Sequence, residues 1–375
     1  MRAPRLTALF LATIVLATST LCFGQRRKKT EEEMTQTLDI PRDPPSAVVA
    51  DTHRLTFHVA PLSAKGLLSQ QVRDGLRALI RQARGSQIVK IRAFVAGTGD
   101  MRRVQAIVSE VFTERHQPIP AVTVAQVGAI PMEGAQVVLE AIASARKPTN
   151  PNGLAWISGQ LATADEPILQ VAPLVERSLQ QMETALAGIG LAVADVLRVT
   201  CYLSAFGDVQ QVQQNVAARF PQAGRTIVQL HRAPSNGLAE CEGVARLRQS
   251  PGQPVKLVNP SGLPTPEAYS QVALIDASKI VISGSQLAFG AQEDDVRLAF
   301  QRLDRTLEAL GAGLRDTAVS RLYPLHSRTA ELIRKVRFEF FDQPNPPAST
   351  LVYFEGLPSL DASFAIDVIA VPAGR

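Results

Sequence analysis

Three apolar, strand-like segments of this 375-residue chain, at residues 88–96, 196–204 and 318–326, are each followed by an amphipathic helix. Each helix is followed in turn by a late strand, at 136–143, 238–245 and 362–371. The starts recur about every 110 residues, the size of a small domain rather than of a solenoid repeat. Helical spacing supports the same division. Val72, Leu76, Leu79 and Ile80 form one apolar stripe, matched by Val171, Leu174, Val175, Leu179, Met182 and Leu186, and then by Val296, Phe300, Leu303, Leu307 and Leu310. Second stripes follow at Val104, Ile107, Val108, Val111 and Phe112, at Val209, Val212, Val216 and Phe220, and at Leu332, Val336 and Phe340. Such an order of strands and helices places the helices on one face of a sheet. The other face must also be buried, and three sheets facing one another would do so. The pattern therefore predicts an α+β trimer within one polypeptide.

The N-terminus reads differently. Arg2 and Arg5 precede an apolar run over 6–17 that is too short for a bilayer span, then small polar residues and Cys22-Phe23-Gly24. This is a signal peptide with a cut expected after Gly24, so the protein is expected to be exported, periplasmic or secreted, with no membrane span once the signal is removed. Ser19-Thr20-Leu21 is a poor lipobox before Cys22. The segment Arg26-Arg27-Lys28-Lys29, Glu31-Glu32-Glu33 and the prolines of 41–45 read as an exposed leader. The expected organisation is a signal over 1–24, a flexible leader over 25–52, and units over 53–147, 148–250 and 251–375. The stretch 246–266 is rich in proline and glycine, and the second unit lacks the leading strand that the third has at 272–277. Cys201 and Cys241 lie inside apolar strands; they would pair only as facing neighbours, and buried thiols are the expectation.

Composition excludes several function classes. A net charge of +5 is mild and spread out, and basic–aromatic interleaving is absent, so no nucleic-acid partner is expected. His53, His58, His116, His231 and His326 show no paired ligand spacing, which argues against a metal. No glycine-rich phosphate loop and no nucleophile elbow occur.

The second unit resembles the RidA (YjgF, reactive intermediate deaminase) family. The resemblance rests on Ile157-Ser158-Gly159-Gln160, Asp195-Val196 leading into Val199-Thr200-Cys201-Tyr202-Leu203, Asn215, Gly224-Arg225-Thr226, and Ala239-Glu240-Cys241-Glu242-Gly243-Val244-Ala245. The third unit adds Pro266-Glu267-Ala268-Tyr269-Ser270-Gln271, Ile282-Ser283-Gly284-Ser285-Gln286 and Phe364-Ala365-Ile366-Asp367-Val368-Ile369-Ala370. In the first, Leu139-Glu140-Ala141-Ile142-Ala143 is the best match. The resemblance implies chorismate mutase-like domains in three tandem copies, closed into an intramolecular pseudo-trimer with clefts between neighbours. It also implies hydrolysis of reactive 2-imino or enamino acids to 2-keto acids and ammonia, without a cofactor.

Carried over by motif, Arg225 would bind the substrate carboxylate with paired hydrogen bonds and Glu240 would handle the attacking water. Asn215, Ser158, Gly159, Tyr269, Ser283 and Gly284 would line substrate sites. Val122 and Ser349 stand at the positions matching Arg225, while Val138 and either Phe364 or Ala365 stand at those matching Glu240. Ile227 departs from the cysteine that the family often has two residues after the arginine. Two readings follow: a single-site imine deaminase in the second unit, or a non-catalytic exported pseudo-trimer that binds a small carboxylate or a protein partner. Either is expected to be a monomer.

Overall fold

The computed structural model describes residues 40–97 and 100–372; the expected signal peptide, Cys22 and the basic–acidic run of the leader lie outside them. The chain runs through β1 (Ala47–Ala50), β2 (Leu55–Val59), α1 (Leu68–Gln82), β3 (Gln87–Ala96), α2 (Met101–Glu114), β4 (Ala121–Val127) and β5 (Val137–Ser144). Next come β6 (Leu154–Ala164), α3 (Ala172–Gly188), β7 (Val196–Leu203), α4 (Val209–Arg219), β8 (Gly224–Gln229) and β9 (Gly237–Arg246). The last third holds β10 (Val255–Val258), β11 (Val272–Ile275), β12 (Ile280–Ser283), β13 (Gln286–Phe289), α5 (Glu293–Glu308), β14 (Thr317–Pro324), α6 (Ser327–Phe340), β15 (Ala348–Leu351) and β16 (Ala362–Ala370).

These strands make three sheets, ordered β2-β5-β3-β4, β10-β11-β6-β9-β7-β8 and β1-β12-β16-β14-β15, with β13 also paired to β16. One connectivity recurs in all three. A helix crosses between the parallel strands β3/β4, β7/β8 and β14/β15, and the late strand runs antiparallel beside the first of each pair. The two helices of each unit bury their apolar stripes on one face of its sheet, in separate cores.

Strand alternation sends every second residue to the opposite face. There the sheets bury one another. Leu55, Val89, Ile142, Trp156, Val244, Val319 and Ile369 form one apolar layer drawn from all three, and Phe94, Tyr202, Val228, Tyr323 and Phe354 belong to a second. All three seams close. Gly128 N donates to Gln229 O at 2.7 Å between units one and two, Ser349 N to the Ser158 hydroxyl at 2.8 Å between two and three, and Ser285 N to Val122 O at 3.0 Å between three and one.

Two expectations require correction. The strand at 272–275, read as the opening of the third unit, instead pairs antiparallel with β6 and completes the second sheet, with β10 outside it. The leader, read as flexible over 25–52, contributes β1, which pairs antiparallel with β12 and completes the third. Unpaired edges expose donors and acceptors, so each outer strand joins the edge within reach. Nothing in alternation alone selects that edge.

Cys201 and Cys241 face each other across β7 and β9, with Cα atoms 4.1 Å apart, and form a disulfide. Buried thiols were the expectation. Direct cross-strand register makes them the facing neighbours that pairing requires.

Candidate functional site: three unequal seams

Arg225 sits on β8, an outer strand of the second sheet, and lines a crevice of about 260 Å³ against the first unit. Val59, Ala60, Leu62, Pro131 and Val138 form the far wall; Gln213, Ala217, Thr226 and Ile227 accompany Arg225, the one charged lining residue. The arginine is exposed, and its Nη1 donates to the carbonyls of Phe220 at 2.7 Å, Pro221 at 3.2 Å and Ala223 at 3.3 Å. One nitrogen is thus committed to carbonyls around the end of α4, leaving Nε and Nη2 for a ligand. Asn215 does not join this site. Gln213 and Ala217, four residues apart, turn one face of α4 to the crevice, and Asn215 lies on another face, exposed.

Glu240 stands elsewhere. It lies on β9 opposite Leu161 of β6 and Tyr202 of β7 and is only 6% exposed. Its carboxylate packs directly on Gly159, where a Cβ would overlap it unless the Glu240 side chain moved. Tyr269 lies close enough to feel the Glu240 charge. Burial first, then the Glu240 charge, pushes the phenol up. Burial, reinforced by Glu242, pushes Glu240 itself up to about 8, so it is protonated at neutral pH.

This is the seam between units two and three, and Ser158 and Gly159 bind it together. Ser158 donates to Ser270 O at 2.7 Å, and Gly159 N donates to the Thr350 hydroxyl at 3.1 Å. Both residues were expected on a substrate; both hold the seam instead. Ser349, at the position matching Arg225, is buried and hydrogen-bonded to Ser320. Arg337, beside Tyr269, is buried and donates to the Ala268 carbonyl.

The other crevice, of about 370 Å³ between units three and one, has Val122 at the arginine position, with Gly284, Ser285 and Gln286 opposite. The leader residues Asp43, Pro44, Pro45 and Ser46 line it as well, and Gly284 N donates to Ser46 O at 2.7 Å. Ser283 is fully buried, its hydroxyl accepting from Val368 N at 2.9 Å and its carbonyl from Lys90 Nζ at 2.5 Å. Neither residue faces Arg225.

No crevice therefore pairs the two principal residues: Arg225 meets Val138, and the carboxyl of Glu240 lies on the Ser349 side.

The alternation that turns Cys241 toward the helices also turns charges onto the axis, a feature not singled out in the sequence. Arg92 Nε donates to Glu140 at 2.7 Å, and its Nη2 to the Thr200 hydroxyl at 3.0 Å. Glu242 accepts from Arg92 at 2.8 Å, Arg321 at 3.1 Å and Thr350 at 2.7 Å. Asp367 accepts from Thr123 at 2.7 Å, Tyr323 at 3.0 Å and Lys90 at 3.3 Å. Burial opposes ionisation of Glu242, but the three guanidinium groups of Arg321, Arg92 and Arg198 hold its carboxyl well below the usual range. Isolated charges inside otherwise apolar strands were the available signal.

Among the described residues no group of three or more His, Cys, Asp or Glu is arranged to hold a metal ion, and no helix is long and apolar enough to cross a membrane.

Residues 147–247 match the family model described as Endoribonuclease L-PSP. No curated protein matches the chain. Similar solved structures include the YjgF gene product from E. coli, at 24% identity over 25% of this chain and 81% of that one, with a TM-score of 0.22. A YjgF/YER057c/UK114 family member from Mycobacterium tuberculosis is 22% identical over 31% of this chain and 98% of its own, with a TM-score of 0.23. A YjgF-family member from Neisseria meningitidis is 14% identical over 32% and 97%, with a TM-score of 0.25.

Proposed function

With the segment 147–247 a RidA/YjgF-family domain, we infer that the chain is three tandem copies of that domain, closed as an exported pseudo-trimer, and that it binds a small carboxylate without hydrolysing an imine. The observation that carries this reading is the separation of Arg225, in its crevice against the first unit, from Glu240, packed on Gly159 at the seam with the third. An arginine with one free donor edge, Nε and Nη2, in an otherwise uncharged crevice suits a carboxylate with a short apolar tail. Val59, Leu62, Pro131 and Ile227 would receive that tail, and Gln213 offers a further polar contact. Export is supported by the Cys201–Cys241 disulfide, since such bonds persist in oxidising compartments.

The test pairs turnover with binding. Ammonia release from 2-iminobutanoate should proceed at the buffer rate, while the stable analogue 2-oxobutanoate binds. Arg225→Ala should weaken that binding roughly 10- to 100-fold, the worth of hydrogen bonds to a charged group. Glu240→Gln should leave it nearly unchanged. Accelerated ammonia release that either substitution abolishes would restore the hydrolase reading.

A further inference from the structure

The buried charges on the axis do not balance. Lys90, Arg92, Arg198 and Arg321 face Glu140, Glu242 and Asp367, four cations against three carboxylates, and each is at most 8% exposed. Glu240, buried nearby, does not supply the missing charge, because burial and Glu242 keep it protonated at neutral pH. Burial pushes Arg198 down only to about 10 and Lys90 to about 8, so both remain largely cationic at pH 7. An uncompensated charge in a fold's interior is strongly destabilising.

Register locates the imbalance. Arg92, Thr200 and Arg321 are equivalent, each opposite the acid of its own sheet: Glu140, Glu242 and Asp367. Two residues earlier on the same strands stand Lys90, Arg198 and Val319. Thr123, Thr226 and Thr350 complete the pattern on the parallel neighbours. Lys90 has close partners in Thr123, Ser283 O and Asp367. Arg198 does not. Its nearest carboxylate oxygens, on Glu140 and Glu242, are 3.8 Å away, and its Nε and Nη2 have no hydrogen-bond partner among the described residues. Its guanidinium rests on the rings of Phe57 and Trp156 at 5.4 and 5.7 Å. A small cavity of about 10 Å³ opens beside it, lined by Lys90, Arg92, Glu140, Ile142, Arg198, Arg321 and Asp367. That space holds a single small guest.

We propose that this axial cavity is a binding site for one monoatomic anion, a halide, held by the unpartnered edge of Arg198 with Arg92, Arg321 and Lys90 around it. One negative charge neutralises the excess and gives the two free nitrogens of Arg198 an acceptor. The volume rejects carboxylate, phosphate and sulfate, so the site is distinct in chemistry and place from the Arg225 crevice. The halide is structural: it joins three sheets that otherwise crowd cations on a common axis.

Thermal unfolding of the full chain, titrated with sodium bromide and held at constant ionic strength with sodium gluconate, tests this directly. Tm should rise saturably, on the order of 4 °C once bromide is about a hundredfold above Kd. Arg198→Met removes the excess charge at similar side-chain length and should unfold at the same temperature in both salts. Bromide anomalous diffraction of the wild-type protein gives a second readout that needs no variant, with a single peak expected between Arg198 and Arg321. Equal Tm in bromide and gluconate, or a cavity without anomalous signal, would overturn the proposal and leave water as the guest.

Discussion

Glu240 and Arg225 lie 15 residues apart in the chain and belong to one sheet, yet they serve different neighbours. Strand alternation correctly put Glu240 and Glu242 on the face away from Cys241, since that is a property of the strand alone. What happens on that face depends on the other units. Glu242 meets three guanidinium groups and stays ionised, whereas Glu240 meets Gly159 and a phenol and stays protonated. The sign of the resulting pH dependence follows. The fold favours the protonated form of Glu240, so its contribution is complete below the ordinary value of 4.5 and is lost as pH rises to about 8. Stability measured by denaturant should fall across that window with a slope of up to about 1.4 kcal/mol per pH unit. Glu240→Gln should flatten it; an unchanged slope would place the carboxyl in water.

At the scale of elements, the helices and inner strands were legible because their burial pattern repeats within the element. The short outer strands were not. Val272–Ile275 is buried at every position and would suit any sheet, so its sequence carried no preference for β6 over a place in the third unit. Ala47–Ala50 lay in a leader whose prolines and charges read as solvated, and it is a strand because β12 offers an open edge. The cysteines show the same dependence on pairing, since Cys201 and Cys241 become partners only through the β7–β9 register. Their bond closes a loop with a sequence separation of 40. Replacing both by alanine should cost roughly 2–4 kcal/mol in urea unfolding. Unchanged stability would mean the thiols are free.

For the whole molecule, the two apolar layers and the charged layer each draw on all three sheets, so no unit is complete alone. The protein should therefore run at the mass of a single chain in light scattering, at most 40.4 kDa, at every concentration tested, and unfold in one cooperative transition. A threefold mass, or separate transitions, would mean that the seams do not close within one chain. Periodicity by itself determined that three α+β units exist, where their helices lie, and that each sheet has a second face to bury, because these are local consequences of which side chains avoid water. Tertiary structure alone decided which strand completes which sheet and which side chain of one unit meets which of the next. Arg225 rides an outer strand toward unit one, while Glu240 lies beside β6 and faces unit three. Contacts across a seam depend on how the units are placed around the axis, and no pattern within a single unit encodes that placement.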